Sequence, residues 1–309
     1  MVETSAVFWG AFSAVPIALL AFDLGVVGRQ KGVIGVRQSL LLTAGYIAAA
    51  LLFGAAIFVW KGTSAGMEYL TGFVLEKSLS LDNIFVFVVI FGHFHVPREY
   101  QHRVLFWGVL GALIMRAVMI FAGVALLNAL DWVIYVFAAI VIASGVRLMV
   151  KGDDEPALED NPLLKFLRRH LRVTNEFAGR RFFVRHDGQR WATPLLLTLV
   201  LIEFTDLIFA LDSIPAIFGV TRDPFIIYTS NAFAILGLRA LYFAVAGMVQ
   251  KFRYLHYGLA LVLVLIGIKM ILEGFIEIPI WLTLAVTVSV IGGSMALSWL
   301  VPRREQPAE

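Results

Sequence analysis

The sequence predicts an all-α polytopic membrane protein of about nine transmembrane helices. Of its 309 residues, 60% are apolar and only 15% are charged, and the mean hydropathy is +0.86. Soluble domains are about half apolar and about a quarter charged, so the apolar surplus must face lipid. The whole of 1–309 is therefore predicted to form a single transmembrane domain.

Nine apolar stretches have the length of about 20 residues that a hydrocarbon core of roughly 30 Å requires. Two leading helices (6–60) are predicted at 6–27 and 38–60, and a final helix at 278–301. Six more stretches lie between them, at 67–92, 104–127, 131–150, 193–219, 225–249 and 254–273. The first stretch follows Glu3 without a basic segment or a convincing cleavage site, so we expect a retained span and not a signal peptide.

The basic residues predict the orientation of the chain. With the N-terminus outside, 18 of the 25 Lys and Arg residues fall in cytoplasmic segments, and only Lys61 and Arg222 fall in outside loops. Because Lys and Arg are retained on the cytoplasmic side, we expect the N-terminus outside and the C-terminus inside. The pI near 9.2 does not indicate nucleic-acid binding, which needs basic residues gathered on one soluble face.

The sizeable polar stretch at 151–191 is predicted to be a cytoplasmic loop, too short for a domain. Its segment from Asn161 to Arg172 is compatible with a short basic amphipathic helix at the level of the lipid headgroups. A solvated loop that obeys the retention of basic residues is the favoured interpretation.

The chain aligns with itself in three ordered places, which predicts an internal repeat. The pairs are Glu76-x5-Asp82-Asn83 with Asp206-x5-Asp212-Ser213, Arg116 with Arg239, and Tyr135-x9-Gly145-x-Arg147 with Tyr257-x9-Gly267-x-Lys269. The repeats are 67–150 and 193–273, with three spans in each. Because three is odd, the repeats enter the membrane from opposite sides, an arrangement typical of secondary transporters with a polar site near the midplane.

Five carboxylates inside the predicted spans are the candidate metal ligands: Glu76, Asp82, Glu203, Asp206 and Asp212. Each costs roughly 2.5–3.5 kcal/mol on insertion scales, and such residues are functional-site candidates by default. Together with the side-chain oxygens of Asn83 and Ser213, they form a hard-oxygen set that suits Mg²⁺, Ca²⁺ or Mn²⁺. The chain has no Cys, which excludes disulfides and thiolate ligands, and no organic cofactor is expected.

Four cations in or beside the spans are expected to pair with these acids or to gate the site, namely Lys77, Arg116, Arg239 and Lys269. Buried charges must be paired or neutralised. Five acids against four cations leave a net charge of −1, and Asp23 would make it −2. A divalent cation that exchanges with protons would complete this balance, while a static ion-pair network is the alternative.

Three further expectations concern single residues in or beside the predicted spans. Asn231 is a candidate pathway residue, although it could equally hydrogen-bond between helices. Pro215 is expected to kink or break the sixth span, as in the broken helices of many ion sites. Asp223 falls at the edge of an outer loop, where we expect it to be solvated.

The stretches EKSLSLDNIFVFVVIFGHFHVP and LIEFTDLIFALDSIPAIFGVTRDPFIIYTSNAFAILGLRALYF resemble the TerC family of bacterial membrane proteins. The resemblance covers nearly the whole chain and is strongest to the Alx branch, whose proteins are named for tellurite resistance or alkali induction, in the lysine-exporter superfamily. It implies export of Mn²⁺ across the bacterial inner membrane, possibly against protons, through the five acids named above. Manganese and the export direction come from this resemblance alone.

Other functions remain open beside manganese export. One is a Ca²⁺ or general divalent cation/proton exchanger, and another is a membrane scaffold that docks partners through 151–191 and loads metal into exported proteins. An intramembrane aspartyl protease is disfavoured because no Gly-x-Gly-Asp arrangement is present, so we expect no enzyme. The expected partners are the metal ion, protons and lipid, and homo-oligomerisation is left open. An acidic site should repel a tellurium oxyanion.

Overall fold

A computed structural model describes residues 9–10, 14–15, 18–19, 35–151, 162–174, 176–186, 188–246, 254–273, 275–276 and 278–301. Within these ranges the chain forms helices and one small hairpin. The elements are α1 (Val36–Lys61), α2 (Thr63–His93), α3 (Arg98–Ala129), α4 (Val133–Lys151), α5 (Pro162–His170), β1 (Phe183–His186), β2 (Gln189–Ala192), α6 (Pro194–Phe218), α7 (Pro224–Leu236), α8 (Leu238–Val245), α9 (Leu255–Leu272) and α10 (Ile280–Leu300). The predicted span at 6–27 falls largely outside the described residues, and so does Asp23.

The prediction of an all-helical membrane protein is confirmed. In the described part of the chain, seven helical segments are long and apolar enough to cross a membrane: α1, α3, α4, α6, Pro224–Val245 (α7 and α8 together), α9 and α10. The 31 residues of α2 have the length to cross, but they carry Glu68, Glu76, Lys77 and Asp82. The count of nine spans stays a prediction.

The helix interruption lies at Gly237 and not at Pro215. Helix α6 runs through Pro215 and ends at Phe218. The proline removes the N–H that would have bonded the carbonyl of Leu211, but the helix continues past it, so the expected break there is wrong. The predicted span at 225–249 is divided instead, because α7 ends at Leu236 and α8 starts at Leu238.

Helices α4 and α9 pack closely through matching glycines. A Cβ added at Gly145 would lie 2.8 Å from the carbonyl oxygen of Ala260, and one added at Gly267 would lie 3.0 Å from that of Ala138. Both the two glycines and the two alanines are separated by 122 residues. The glycine of each helix therefore packs against the same aligned alanine position of the other helix, as in a self-complementary interface. Elsewhere α2 packs against α7, and α3 packs against α6.

The polar stretch between α4 and α6 contains regular structure. The short basic amphipathic helix is present as α5, where a solvated loop was the favoured prediction. Leu164 is buried, and basic residues occupy the last turn. Strands β1 and β2 pair antiparallel with Phe183 opposite Ala192, and Gly188 in the turn has a φ of +74°. The hairpin was not predicted, although the Asp-Gly pair at 187–188 is a known hairpin signal.

This stretch packs onto the first turns of α3 and α6. The guanidinium of Arg103 lies 4.9 Å from the ring centre of Phe182, and the Tyr100 and Phe177 rings are 6.1 Å apart. The Thr193 hydroxyl donates to the carbonyl of Arg181 at 2.8 Å. The segment is thereby attached to the helices that carry the site described next.

Candidate ion-binding site

The centre of the site is Arg116, which α3 places among the other helices with only 1% of its surface exposed. Its Nη1 donates to Oε1 of Glu76. Its Nη2 and Nε donate to Oδ1 and Oδ2 of Asp206 at 3.1 and 3.3 Å. Glu76 is fully buried and Asp206 is 4% exposed. One guanidinium thus bridges the carboxylates at equivalent positions of the predicted repeats.

Neutral side chains complete the cluster. Nη1 of Arg116 also donates to Oδ1 of Asn231 at 2.8 Å and to the hydroxyl of Ser213 at 3.3 Å. Asn83 donates from Nδ2 to Oδ1 of Asp206 at 3.3 Å. Helices α2, α3, α6 and α7 each supply part of the site, and the predicted residues Asn83, Ser213 and Asn231 all belong to it.

The cluster contains oxygen atoms without a hydrogen-bond partner, and its three charged groups do not balance among themselves. With both carboxylates ionised, the formal charge of Glu76, Asp206 and Arg116 is −1. Oε2 of Glu76 and Oδ1 of Asn83 are buried without a hydrogen-bond partner, whereas buried polar atoms are normally paired. Carboxylate, amide and hydroxyl oxygens are the ligands of hard divalent cations, so the residues present fit such an ion.

The other three predicted acids lie outside the hydrogen bonds that Arg116 makes. Asp212 accepts from the hydroxyl of Ser144 at 2.5 Å, and the carboxylate of Glu203 fills the space beside Gly111. Asp82 is partly buried and lies roughly 9 Å along α2 from Glu76 by helical rise. Throughout the part of the chain that the structure describes, no three His, Asp or Glu side chains come together to hold a metal. Glu76 and Asp206 are the two predicted acids that share Arg116, and metal binding by the other three stays a prediction.

The predicted cations differ in their hydrogen-bond acceptors, which are carboxylates for Arg116 and backbone carbonyls for the lysines. Arg116 pairs with acids as predicted, but Lys77 donates to the carbonyl of Ala234 at 3.1 Å and Lys269 to that of Gly219 at 2.7 Å. Those carbonyls lie at the C-terminal ends of α7 and α6, where a cation satisfies an unpaired acceptor and complements the helix dipole. Both lysines therefore cap helix ends through their hydrogen bonds, and Lys77 also lies close enough to Glu76 for electrostatic attraction. Their role in pairing or gating stays a prediction. Arg239 is buried at the start of α8.

A second polar cluster, which we call the latch, comprises Lys61, Glu68, Thr221 and Asp223. Lys61 pairs with Asp223 at 2.5 Å, and the Thr221 hydroxyl donates to Glu68 at 2.6 Å. Asp223 also caps α7 by accepting from the backbone N–H of Phe225 at 2.9 Å. The expectation of a merely solvated Asp223 is wrong, and its place before a proline that begins a helix was the signal for a cap.

The apolar helices and the buried charged cluster between them define a multi-pass integral membrane protein with a buried polar site in its interior. The chain matches the model of the Integral membrane protein TerC family over residues 61–306. It belongs to that family, which confirms the predicted resemblance.

Relatives match along nearly the full length of the chain. The "Uncharacterized membrane protein STKORF319" of Myxococcus xanthus is 48% identical over 300 residues, which cover 97% of this chain and 93% of the relative. Proteins named "Putative membrane-bound redox modulator Alx" are 42% identical over 308 residues in Salmonella typhi, covering 96% of each chain. In Escherichia coli (strain K12) the identity is 43% over 302 residues, covering 95% of this chain and 93% of the relative. No solved structure matches the chain.

Proposed function

We propose that the protein is a secondary transporter that exports Mn²⁺ from the bacterial cytoplasm across the inner membrane, coupled to protons. The observation that carries this proposal is the buried cluster in which Glu76 and Asp206 share one arginine. Its formal charge of −1 and its two unpartnered oxygens suit a bound cation. Buried ionisable groups of this kind in a membrane protein typically mark an ion pathway. The activity moves an ion and involves no enzymatic step.

The packing of the helices supports a transporter built from inverted repeats. Glu76 and Asp206 align in the repeats and meet at the same guanidinium. Gly145 and Gly267 also align, and each lies against the equivalent position of the other helix. A site between inverted repeats can be exposed to either side of the membrane when one repeat rocks against the other.

The choice of manganese rests on family resemblance, because oxygen ligands alone also suit Ca²⁺. A general divalent cation exchanger therefore remains the closest alternative. The name of the Alx relatives suggests a redox role for this chain as well. With no Cys in the sequence, we propose that any redox effect follows from the cytoplasmic level of redox-active manganese.

The orientation and the polar stretch complete the proposal. The retention of basic residues on the inner side supports an outside N-terminus and a cytoplasmic C-terminus. The segment formed by α5, β1 and β2 would then lie in the cytoplasm. A scaffold would bind its partners through this same segment. Transport requires the buried cluster, whereas scaffolding does not.

The test is elemental analysis of cells under a manganese load that express wild type, Glu76→Gln or Asp206→Asn at equal membrane levels. We expect wild type to lower total manganese and both variants to leave it high. Asp131→Asn is the matched control, since Asp131 is exposed in the α3–α4 loop. A fall in calcium but not in manganese would favour the alternative. Unchanged manganese, calcium, magnesium, iron and zinc with wild type would reject metal export.

A further inference from the structure

The hydrogen bonds of the Arg116 side chain all go to the site. Its three nitrogens make five hydrogen bonds, and every acceptor is an oxygen of Glu76, Asp206, Ser213 or Asn231. A guanidinium has five N–H donors and no acceptor. The guanidinium therefore holds most of the oxygens that would bind a divalent cation, apart from Oε2 of Glu76 and Oδ1 of Asn83.

A metal ion and this guanidinium compete for these oxygens. Their like charges repel strongly at a few ångströms in a buried environment, and an arginine stays charged at every relevant pH. Binding of a divalent cation therefore favours movement of Arg116 away from Glu76 and Asp206. No covalent change is involved, since the flexible arginine side chain can be redirected while α3 stays in place.

We propose that Arg116 is a tethered counter-cation, which occupies the carboxylates in the metal-free protein and is displaced by the transported metal. This inference rests on the proposed transport function and deepens it. Without a counter-cation, both buried carboxylates would need a proton before the metal-free transporter could reorient, because unpaired buried carboxylates are costly. Arg116 neutralises one of the two, so a single proton completes the balance and the metal-free protein can return to the cytoplasmic side. In the loaded protein the metal performs the same neutralisation.

The experiment separates the loaded and empty steps. Purified wild type and Arg116→Gln are reconstituted in liposomes, and both net Mn²⁺ efflux and one-for-one exchange of labelled for unlabelled Mn²⁺ are measured. Exchange uses only the loaded protein, whereas net efflux also needs the empty protein to return. We expect Arg116→Gln to keep exchange within about twofold and to bind Mn²⁺ roughly tenfold more tightly, since a competing charge is gone. Net efflux should fall at least roughly tenfold on the same grounds.

The matched control is Arg222→Gln, the same substitution at an exposed position, which should behave as wild type. A second variant guards against poor folding of Arg116→Gln. Arg116→Lys keeps the positive charge without the forked donors of the guanidinium, so a counter-cation remains and net efflux should stay close to that of wild type.

The possible failures are distinguishable. If exchange and net efflux fall together, and Mn²⁺ binding weakens in both variants, Arg116 is a structural clamp and this inference is overturned. If wild type itself shows neither binding, exchange nor efflux, the proposed transport function fails and this inference falls with it.

Discussion

Asn83 donates a hydrogen bond from Nδ2 to Oδ1 of Asp206 at 3.3 Å, and the same oxygen accepts from Nη2 of Arg116 at 3.1 Å. This geometry turns the amide oxygen of Asn83 towards a place where it has no hydrogen-bond partner. Asn83 thus orients one carboxylate with its nitrogen and leaves its oxygen available to a cation.

Replacing Asn83 by Leu should weaken Mn²⁺ binding by roughly tenfold, because one oxygen ligand and the donor that orients Asp206 are both lost. Calorimetric titration of the purified protein measures this. Ser80→Ala is the control, because the Ser80 hydroxyl is already bonded to the carbonyl of Glu76 in its own helix at 2.8 Å. Equal affinity in Asn83→Leu and wild type would remove Asn83 from the site.

Replacing Lys77 by Met should destabilise the protein by about 1–3 kcal/mol, because the carbonyl of Ala234 loses its donor in a buried setting. Thermal unfolding in a single detergent should show a Tm several degrees lower. Lys77→Arg keeps a donor and should remain closer to wild type. Normal stability together with lost transport in Lys77→Met would instead identify Lys77 as a gating residue.

Breaking the latch by Lys61→Met should open the adjacent end of the helix bundle with little effect on stability, since a partly exposed ion pair contributes about 0–1 kcal/mol. The chain has no Cys, so a cysteine placed at the fully buried Thr229 provides a unique probe. We expect an impermeant thiol reagent added to intact cells to label it several-fold faster when Lys61 is also replaced. Arg222→Met serves as the neighbouring control, and unchanged labelling would show that the latch does not restrict access.

Replacing the two matched glycines between α4 and α9, which we call the glycine seam (Gly145 and Gly267), by a larger residue should destabilise the fold. Gly267→Val would force a side chain against the carbonyl oxygen of Ala138, since even a Cβ would lie 3.0 Å from it. Overpacking of this kind costs about 1–3 kcal/mol, and Gly145→Val should have a similar effect because its surroundings match. Gly45→Ala, where nothing lies within 4 Å of an added Cβ, should be neutral or slightly stabilising. A wild-type melting temperature for both valine variants would contradict close packing at the seam.

The sequence predicted the components of the site better than their arrangement. The repeat alignment brought Glu76 and Asp206 into correspondence, and helices duplicated in this way place equivalent residues near a common centre. Membrane helices are also readily predicted, because apolar length is a local property.

The remaining features depend on tertiary contacts that a linear pattern does not record. Asp212 bonds to Ser144, which lies 68 residues away, and Lys77 bonds to a carbonyl 157 residues away. The carbonyl of Ala234 lies beside the helix interruption at Gly237. A single glycine in an apolar run does not by itself predict such an interruption. The Lys61–Asp223 pair likewise joins residues separated by 162 positions.

The position of Arg116 between Glu76 and Asp206 bears on which ions gain by entering the site. A monovalent cation would bring no more charge than the guanidinium it replaced, and it would also lose part of its hydration shell. A divalent cation brings twice that charge to the same oxygens. If the metal displaces Arg116 as proposed, the arginine sets a threshold of valence for metal ions, and the abundant monovalent metal ions of a cell gain nothing by binding there. Such a protein would not leak monovalent metal cations, so it would leave the electrical potential across the membrane intact.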